Sequence, residues 1–137
     1  MHHILYLSWS VAPFTTTQLQ ELLTLARRRN TELAITGILF YGNERFMQLL
    51  EGEEEEVRAL YELIRRDPRH QHIIAYADKP VAQRAFAEWA MAFQPNSPQQ
   101  ATELAGYLGP TNVDLNLASL SPPDRAVFDL LRSFTLP

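Results

Sequence analysis

Gln48 is the residue whose type and surroundings first suggest chemistry. It lies in FMQLLEG (residues 46–52), where Met47 and Leu49 flank it in an apolar run typical of a buried strand. A buried amide without partners costs roughly 1–3 kcal/mol, so Gln48 would need hydrogen bonds from the protein or from a ligand. The alternative is an edge strand on which Gln48 faces water, and the pattern leaves both interpretations open.

Tyr6 is a candidate partner for this amide. It lies in ILYLS (residues 4–8), a short apolar run typical of a strand. A buried phenol usually finds a hydrogen-bond partner. In the strand order predicted below, the first strand lies beside the third, so Tyr6 can approach Gln48. A tyrosine that only fills the core is the alternative.

Two further polar clusters could contact a ligand. Arg29 and Asn30 follow the predicted first helix, where their donors could face a polar ligand edge, although a C-capping Asn beside a solvated Arg explains them equally well. The segment DPRH (residues 67–70) could simply be a turn. His70 and His72 have strand spacing suited to a metal, but no third ligand is nearby, so no metal is expected.

Composition narrows the class of protein. The chain has 137 residues, about one domain, and no cysteine, which excludes disulfides and thiolate chemistry. A net charge of −4 argues against direct nucleic-acid binding. The N-terminal sequence lacks the pattern of a signal peptide, and no apolar run reaches membrane-spanning length. We therefore expect a cytoplasmic protein that does not bind membranes.

Hydrophobic periodicity predicts the order β-α-β-β-α-β-β. The predicted strands are His3–Ser8, Ala34–Tyr41, Arg45–Leu50, Ile73–Ala77 and Phe86–Phe93. The turn between the second and third strands is predicted at Gly42, Asn43 and Glu44. This order predicts an α+β fold, a ferredoxin-like βαββαββ sandwich with a five-stranded mixed sheet and two helices on one face.

Capping signals delimit the two helices. The first begins at a capping box, either Thr15 with Gln18 or Thr17 with Gln20, and residues 27–29, all arginine, are predicted to form its last turn. The second helix begins at the acidic run Glu53–Glu56 and ends before DPRH.

The composition changes after residue 93. We predict a domain over residues 1–93 and a C-terminal helical extension over 94–137. The extension would hold two helices, one over Gln99–Leu108 and one starting at Ser121–Asp124. The second helix carries an apolar stripe of Val127, Leu130, Leu131 and Phe134.

Together these stretches resemble the BLUF family, the sensors of blue light using FAD. The matching stretches are ILYLS, RNTELAITGILFY, FMQLLEG, IRRDPRH and RAFAEWAM, and they cover about residues 3–93. Each motif alone is weak, whereas the ordered set is highly specific for the family.

The resemblance implies roles for individual residues. Gln48 would hydrogen-bond the flavin ring, Tyr6 would hydrogen-bond Gln48, Asn30 would contact the flavin pyrimidine edge and Arg29 would reach a flavin carbonyl. Further matches are Leu22 and Ile64 on either side of the ring, Asp67, Arg69 and His70 near the ribityl and pyrimidine side, and Trp89 and Met91 as a relay pair on the fifth strand.

The resemblance also implies a photoreceptor rather than an enzyme. Light-driven electron and proton transfer among Tyr6, Gln48 and FAD would rearrange the hydrogen bonds and signal through the C-terminal strand and helices. The receiver would be an unknown partner protein or a homo-oligomer, a dimer or larger ring. This sequence departs from the family at Ala26, where many members have Ser, and at Leu7, while Trp9 is either a competing electron donor or a surface aromatic.

Two other functions remain open from the residues alone. A small ferredoxin-like hydrolase of the acylphosphatase type would use Arg29 and Asn30 to orient phosphate and water. A flavin-free regulatory module would only bind a partner protein.

Overall fold

The computed structural model describes residues 1–87, 90–95 and 97–105. Their elements, in chain order, are β1 (His2–Ser10), α1 (Thr16–Leu33), β2 (Thr36–Gly42), β3 (Arg45–Gly52), α2 (Glu54–Arg65), β4 (His70–Pro80), β5 (Ala92–Gln94) and α3 (Pro98–Glu103). The strands form a five-stranded sheet in the order β4-β1-β3-β2-β5. Strands β2 and β5 are parallel, and the other pairs are antiparallel. The predicted mixed ferredoxin-like sheet is therefore confirmed.

Alternating side chains divide the core between the two faces of the sheet. Tyr6 and Leu50 belong to a cluster with residues of both α1 and α2, so these two helices share one face, as predicted. Leu5 and Leu49 belong to a second cluster on the other face. Strand β3 is the middle strand of this sheet, so the alternative of a water-facing edge position for Gln48 is wrong.

Helix α1 starts where the sequence predicts and ends later. Thr15 is the N-cap, and its side chain and that of Gln18 form the predicted capping box. The helix then continues to Leu33, so the expectation that residues 27–29 form its last turn is wrong. The expectation that Asn30 follows the helix as a cap is also wrong, because Asn30 lies within α1 and is fully buried.

The end of α1 lacks the usual sequence signal. Ala34 adopts the left-handed conformation with φ of 53°, and its N–H donates to the carbonyl of Thr31 at 3.3 Å. The N–H of Ile35 donates to the carbonyl of Asn30 at 2.8 Å, which completes a Schellman motif. Glycine usually occupies this left-handed position, so an alanine there hides the helix end from sequence reasoning.

The last strand is shorter than predicted. A strand over Phe86–Phe93 is wrong at its start, because β5 covers only Ala92–Gln94. The backbone N–H groups of Ala85 and Phe86 donate to a buried side chain instead of a neighbouring strand. Met91 packs with Phe93 in the cluster beneath the helices. Trp89 lies outside the described residues.

Strands β2 and β3 form a tight hairpin. Asn43 and Glu44 form its turn with φ of 52° and 60°, in the predicted place. Gly37 on β2 is required by close approach, since a Cβ there would lie 1.9 Å from the carbonyl oxygen of Leu49. The pairing of β2 with β3 therefore depends on the absence of a side chain at residue 37.

Helix α3 docks beside the start of α1. Ser97 caps it by accepting from the N–H of Gln100 at 3.1 Å. The Thr16 hydroxyl donates to Glu103 at 2.6 Å. The rest of the predicted extension, including the second helix and its apolar stripe, lies outside the described residues. No helix within the described parts of the chain is long and apolar enough to cross a membrane.

Candidate functional site

A cavity of about 110 Å³ lies between α1 and α2 and reaches the sheet. All residues predicted to contact flavin line this cavity, with the exception of Asn30. These lining residues are Tyr6, Leu22, Arg29, Gln48, Ile64, Asp67, Arg69 and His70. The fold therefore brings together groups that are up to 64 positions apart in the chain (Tyr6 to His70).

Tyr6 and Gln48 form a buried hydrogen bond in this cavity. They are directly opposite each other on β1 and β3. The Tyr6 hydroxyl donates to Oε1 of Gln48, and Nε2 of Gln48 donates to Sδ of Met91 at 3.4 Å. A thioether is only a weak acceptor, so one of the two polar ends of this amide is weakly bound.

The surroundings of Tyr6 keep its phenol protonated. Burial raises the pKa of Tyr6 well above its ordinary value, and the nearby Tyr61 raises it further. The two tyrosine rings are stacked, with centroids 5.6 Å apart and an angle of 17° between their planes. Tyr6 therefore keeps its proton at neutral pH.

Helix α1 presents two buried polar atoms without partners. Among the described residues, Nε of Arg29 and Oδ1 of Asn30 have no hydrogen-bond partner. Burial lowers the pKa of Arg29. The amide nitrogen of Asn30 donates to the carbonyl of Ala90 at 2.8 Å. One free donor and one free acceptor thus occur on consecutive residues, an arrangement that usually indicates a missing ligand or water.

Asp67 and Arg69, which also line the cavity, form an oppositely charged pair. Arg69 donates to Asp67 at 2.6 Å, and this hydrogen bond lowers the pKa of the Asp67 carboxyl. The guanidinium also lies 5.7 Å from the centre of the Phe14 ring. These contacts fix Arg69 above an aromatic wall of the cavity.

His70 lines the cavity with its ring, and both of its ring nitrogens contact other residues of the protein. Its Nδ1 is 2.8 Å from the Ser8 hydroxyl, and its Nε2 contacts the carbonyl of Ile64. Because the carbonyl of Ile64 is only an acceptor, Nε2 donates to it, whereas the Ser8 hydroxyl can serve Nδ1 as donor or acceptor. The ring of His72 packs edge-on against Trp9 at 6.4 Å. Within the described ranges, no group of three or more metal-binding side chains could hold a metal ion.

Several lining residues were not predicted. They are the apolar residues Phe14, Leu39, Phe46 and Leu63, together with Ala26, which was noted only as a departure from the family. Phe14 and Phe46 pack edge to face at 4.9 Å and form one end of the cavity. Phe46 belongs to the same strand pattern as Gln48, whose face it shares at i−2, and that spacing could have identified it.

A family model matches most of the chain. The family model described as sensors of blue-light using FAD matches residues 1–92. The chain therefore belongs to the BLUF family.

Relatives of known function carry this domain as one part of larger proteins. A photoactivated adenylate cyclase subunit beta of Euglena longa is 39% identical over 87 residues, which is 63% of this chain and 10% of that protein. The blue light- and temperature-regulated antirepressor BluF of Escherichia coli (strain K12) is 38% identical over 74 residues, 54% of this chain and 18% of BluF. The chain thus spans less than a fifth of the length of either relative.

A solved structure matches over nearly the whole chain. The dark-state structure of BlrB, a BLUF protein, has a TM-score of 0.70 and is 31% identical. The match covers 98% of this chain and 94% of BlrB. A protein of similar length thus has the same fold.

Proposed function

We propose that this chain is a non-enzymatic blue-light sensor that binds FAD non-covalently in the cavity between α1 and α2. The observation that carries the proposal is the buried hydrogen bond from Tyr6 to Gln48 in the wall of that cavity. Membership of a family described as using FAD supports a flavin as the ligand.

The residues present fit a flavin. A flat ring suits an apolar slot with Leu22 on one helix and Ile64 on the other. The pyrimidine edge of a flavin offers carbonyl acceptors and one N–H donor. The unpartnered donor of Arg29 would suit one of these carbonyls, and the unpartnered acceptor of Asn30 would suit the N–H donor. Membership of the BLUF family, and not these two residues, favours the flavin over the hydrolase alternative.

The protein's own groups would convert light absorption into a changed hydrogen-bond pattern. When bound, the flavin supplies blue-light absorption and, once excited, the capacity to take up one electron and return it. Tyr6 would give up the electron, and its phenolic proton would move along the existing hydrogen bond to Oε1 of Gln48. Because burial raises the pKa of Tyr6, we expect the proton to leave only when the electron does.

Gln48 can change state because one end is weakly held. If the amide rotated, Nε2 would leave the thioether of Met91, which costs little. Rotation alone would turn the acceptor Oε1 away from Tyr6, whereas rotation with a change of tautomer would place a hydroxyl there that could donate to a flavin carbonyl. Met91 directly precedes β5, so we propose that it passes the change to β5 and the C-terminal helices. Trp89 would assist as the second member of the relay.

We also propose that the chain acts through other polypeptides. Residues 1–93 would form the sensor and residues 94–137 the output extension. Strand β4 is at one edge of the described sheet and exposes Ile74 and Tyr76 at 45% and 44%, which supports assembly with further copies of the chain. Size-exclusion chromatography with light scattering should show a dimer or larger ring, and a monomer at high concentration would contradict this part of the proposal.

The test is the visible absorption spectrum of the purified protein before and after blue light. We expect a flavin spectrum that shifts to the red as a whole, without bleaching, and recovers in darkness. Extraction and chromatography of the flavin would separate FAD from FMN. A bound flavin without a shift would reject the photochemistry, and a colourless protein that cannot be reconstituted with FAD would reject the proposed function.

A further inference from the structure

Glu51 is a fully buried carboxylate that the light response described above does not use. It lies three residues after Gln48 on β3, so its side chain is on the opposite face of the sheet. Its Oε2 accepts from the N–H of Ala85 at 2.8 Å, and its Oε1 accepts from the N–H of Phe86 at 2.6 Å. The Thr36 hydroxyl on β2 also donates to Oε1, at 2.9 Å.

Arg84 adds two hydrogen bonds between this segment and strands β2 and β3. The guanidinium of Arg84 donates to the Thr36 hydroxyl at 3.0 Å and to the backbone carbonyl of Glu51 at 3.2 Å. Residues 84–86, three consecutive positions, are therefore fixed to β2 and β3 by hydrogen bonds. Hydrogen bonds from a charged donor such as the Arg84 guanidinium are among the stronger ones in proteins.

Residues 90 and 91, further along the same segment, accept hydrogen bonds from side chains of α1. Nδ2 of Asn30 donates to the carbonyl of Ala90 at 2.8 Å, and Nε of Arg27 donates to the carbonyl of Met91 at 2.9 Å. The thioether of Met91 accepts from Gln48 at 3.4 Å. Strand β3 thus contacts both ends of this segment, through Glu51 at the start and through Gln48 at the end.

We infer that Glu51 is a positioning residue, which fixes the start of segment 84–91 so that Sδ of Met91 stays within reach of Nε2 of Gln48. This inference rests on the proposed function, because Met91 matters to the light response only if Gln48 is the switch. Only a short length of chain separates Phe86 from Met91. Releasing residues 84–86 would therefore allow Met91 to shift along α1 and weaken its contact with Gln48.

Glu51→Gln is the informative variant. The amide keeps the shape of the carboxylate, but it replaces one acceptor with an NH₂ group that opposes a backbone N–H. Glu53→Gln is the matched control, since Glu53 is exposed and its side chain makes no capping hydrogen bond. Thr36→Val is a second variant that removes one donor and leaves the carboxylate in place, should Glu51→Gln fail to fold.

Two measurements need no flavin. Amide hydrogen exchange should show the N–H groups of Ala85 and Phe86 exchanging about tenfold faster or more in Glu51→Gln and unchanged in Glu53→Gln. Methyl-labelled methionine gives three signals, because the chain has 3 methionines. The Met91 signal, assigned through Met91→Leu, should shift in Glu51→Gln while that of Met1 stays in place.

The light response supplies the third measurement. Glu51→Gln should change the rate of dark recovery severalfold, and it should change nothing further when combined with Met91→Leu. An unshifted Met91 signal despite faster exchange, or effects of the two substitutions that simply multiply, would overturn the inference and leave Glu51 a purely structural anion. A wild-type protein without any light-induced shift would instead overturn the proposed function, and the two flavin-free measurements would still report whether Glu51 positions Met91.

Discussion

Gln48 and Glu51 are both buried on β3, at 5% and 0% exposure, but their hydrogen bonding differs. The carboxylate of Glu51 accepts from two backbone N–H groups and a hydroxyl. The amide of Gln48 has one hydroxyl and one weak sulfur partner. On the proposed function, one strand carries both a fixed connection, Glu51, and a group that changes state, Gln48. Strong partners on all sides hold a polar group still, whereas a weak partner leaves a low-cost alternative.

The largest effect should come from removing the weakly held amide. Gln48→Leu should abolish the light-induced red shift completely while a flavin remains bound, because no amide is left to change its hydrogen bonds. The measurement is the difference spectrum after blue light. Gln71→Leu, at an exposed position of β4, is the control with the same chemical change and should respond as the wild type does. A normal shift in Gln48→Leu would show that Gln48 is not the switch.

Tyr6→Phe should have an equally complete effect by a different route. It removes the hydroxyl that donates to Gln48 and the proton that would move. We expect flavin to be bound and the light-induced shift to be lost. Tyr76→Phe, on the exposed part of β4, is the matched control. A normal photocycle in Tyr6→Phe would contradict the assignment of Tyr6.

Loss of the Glu51 carboxylate, whose oxygens both accept hydrogen bonds, should mainly lower the stability of the fold. Glu51→Gln should lower the free energy of unfolding by about 1–3 kcal/mol, because a backbone N–H loses its acceptor in a buried place. Urea denaturation alongside Glu53→Gln measures the difference. If the two variants were equally stable, Glu51 would not be the firmly held residue that the comparison with Gln48 requires.

A substitution at Arg29 should have a smaller effect, and it should change flavin affinity without lowering the stability of the protein. Arg29→Met keeps an apolar stem but removes the buried Nε that has no partner among the described residues. We expect flavin affinity to fall about tenfold, equivalent to 1.4 kcal/mol, with the stability of the flavin-free protein unchanged or raised. Arg28→Met, at an exposed position of α1, should leave both unchanged. Flavin titration followed by fluorescence, together with urea denaturation of the flavin-free protein, distinguishes these outcomes.

The smallest effect concerns pH. The hydrogen bond from Arg69 lowers the pKa of Asp67 below its ordinary 3.8, so the pair stabilises the folded state above that pH and loses this contribution as pH falls through the lowered pKa. Asp67→Asn should therefore flatten the dependence of stability on pH in the acid range. The pair is partly exposed, so the difference should stay below about 1 kcal/mol. Urea denaturation at several acidic pH values checks it, and parallel curves for variant and wild type would contradict it.

The sequence was sufficient for what depends on local patterns. The order of elements and the turn at Asn43 follow from periodicity and residue type, and the structure agrees. Of the two capping boxes that the sequence allowed, at Thr15 and at Thr17, the structure has the one at Thr15. The proximity of Tyr6 to Gln48 followed from the topology. The placement of Asn30 failed, because α1 ends at an alanine in a conformation that usually marks glycine.

Long-range polar contacts could not be found in the same way. No role for Glu51 followed from the sequence, and only the folded chain shows it accepting N–H groups from residues 85 and 86. The same contacts shortened the last strand. Local propensity carries no information about a hydrogen bond between residues 35 positions apart, as Glu51 and Phe86 are.

The close approach of β2 to β3 at Gly37 affects how a mutational scan of this protein would be interpreted. A Cβ at this residue would lie 1.9 Å from the carbonyl oxygen of Leu49, and the methyl carbon of Met91 is 3.5 Å away. In a saturation library scored by colour, every substitution at Gly37 should be lost, as firmly as at any residue of the cavity. Gly52, where the nearest atom is at 3.2 Å, should accept alanine with a small adjustment. Selection data alone would thus assign Gly37 to the chromophore site, although its role is to let two strands approach each other.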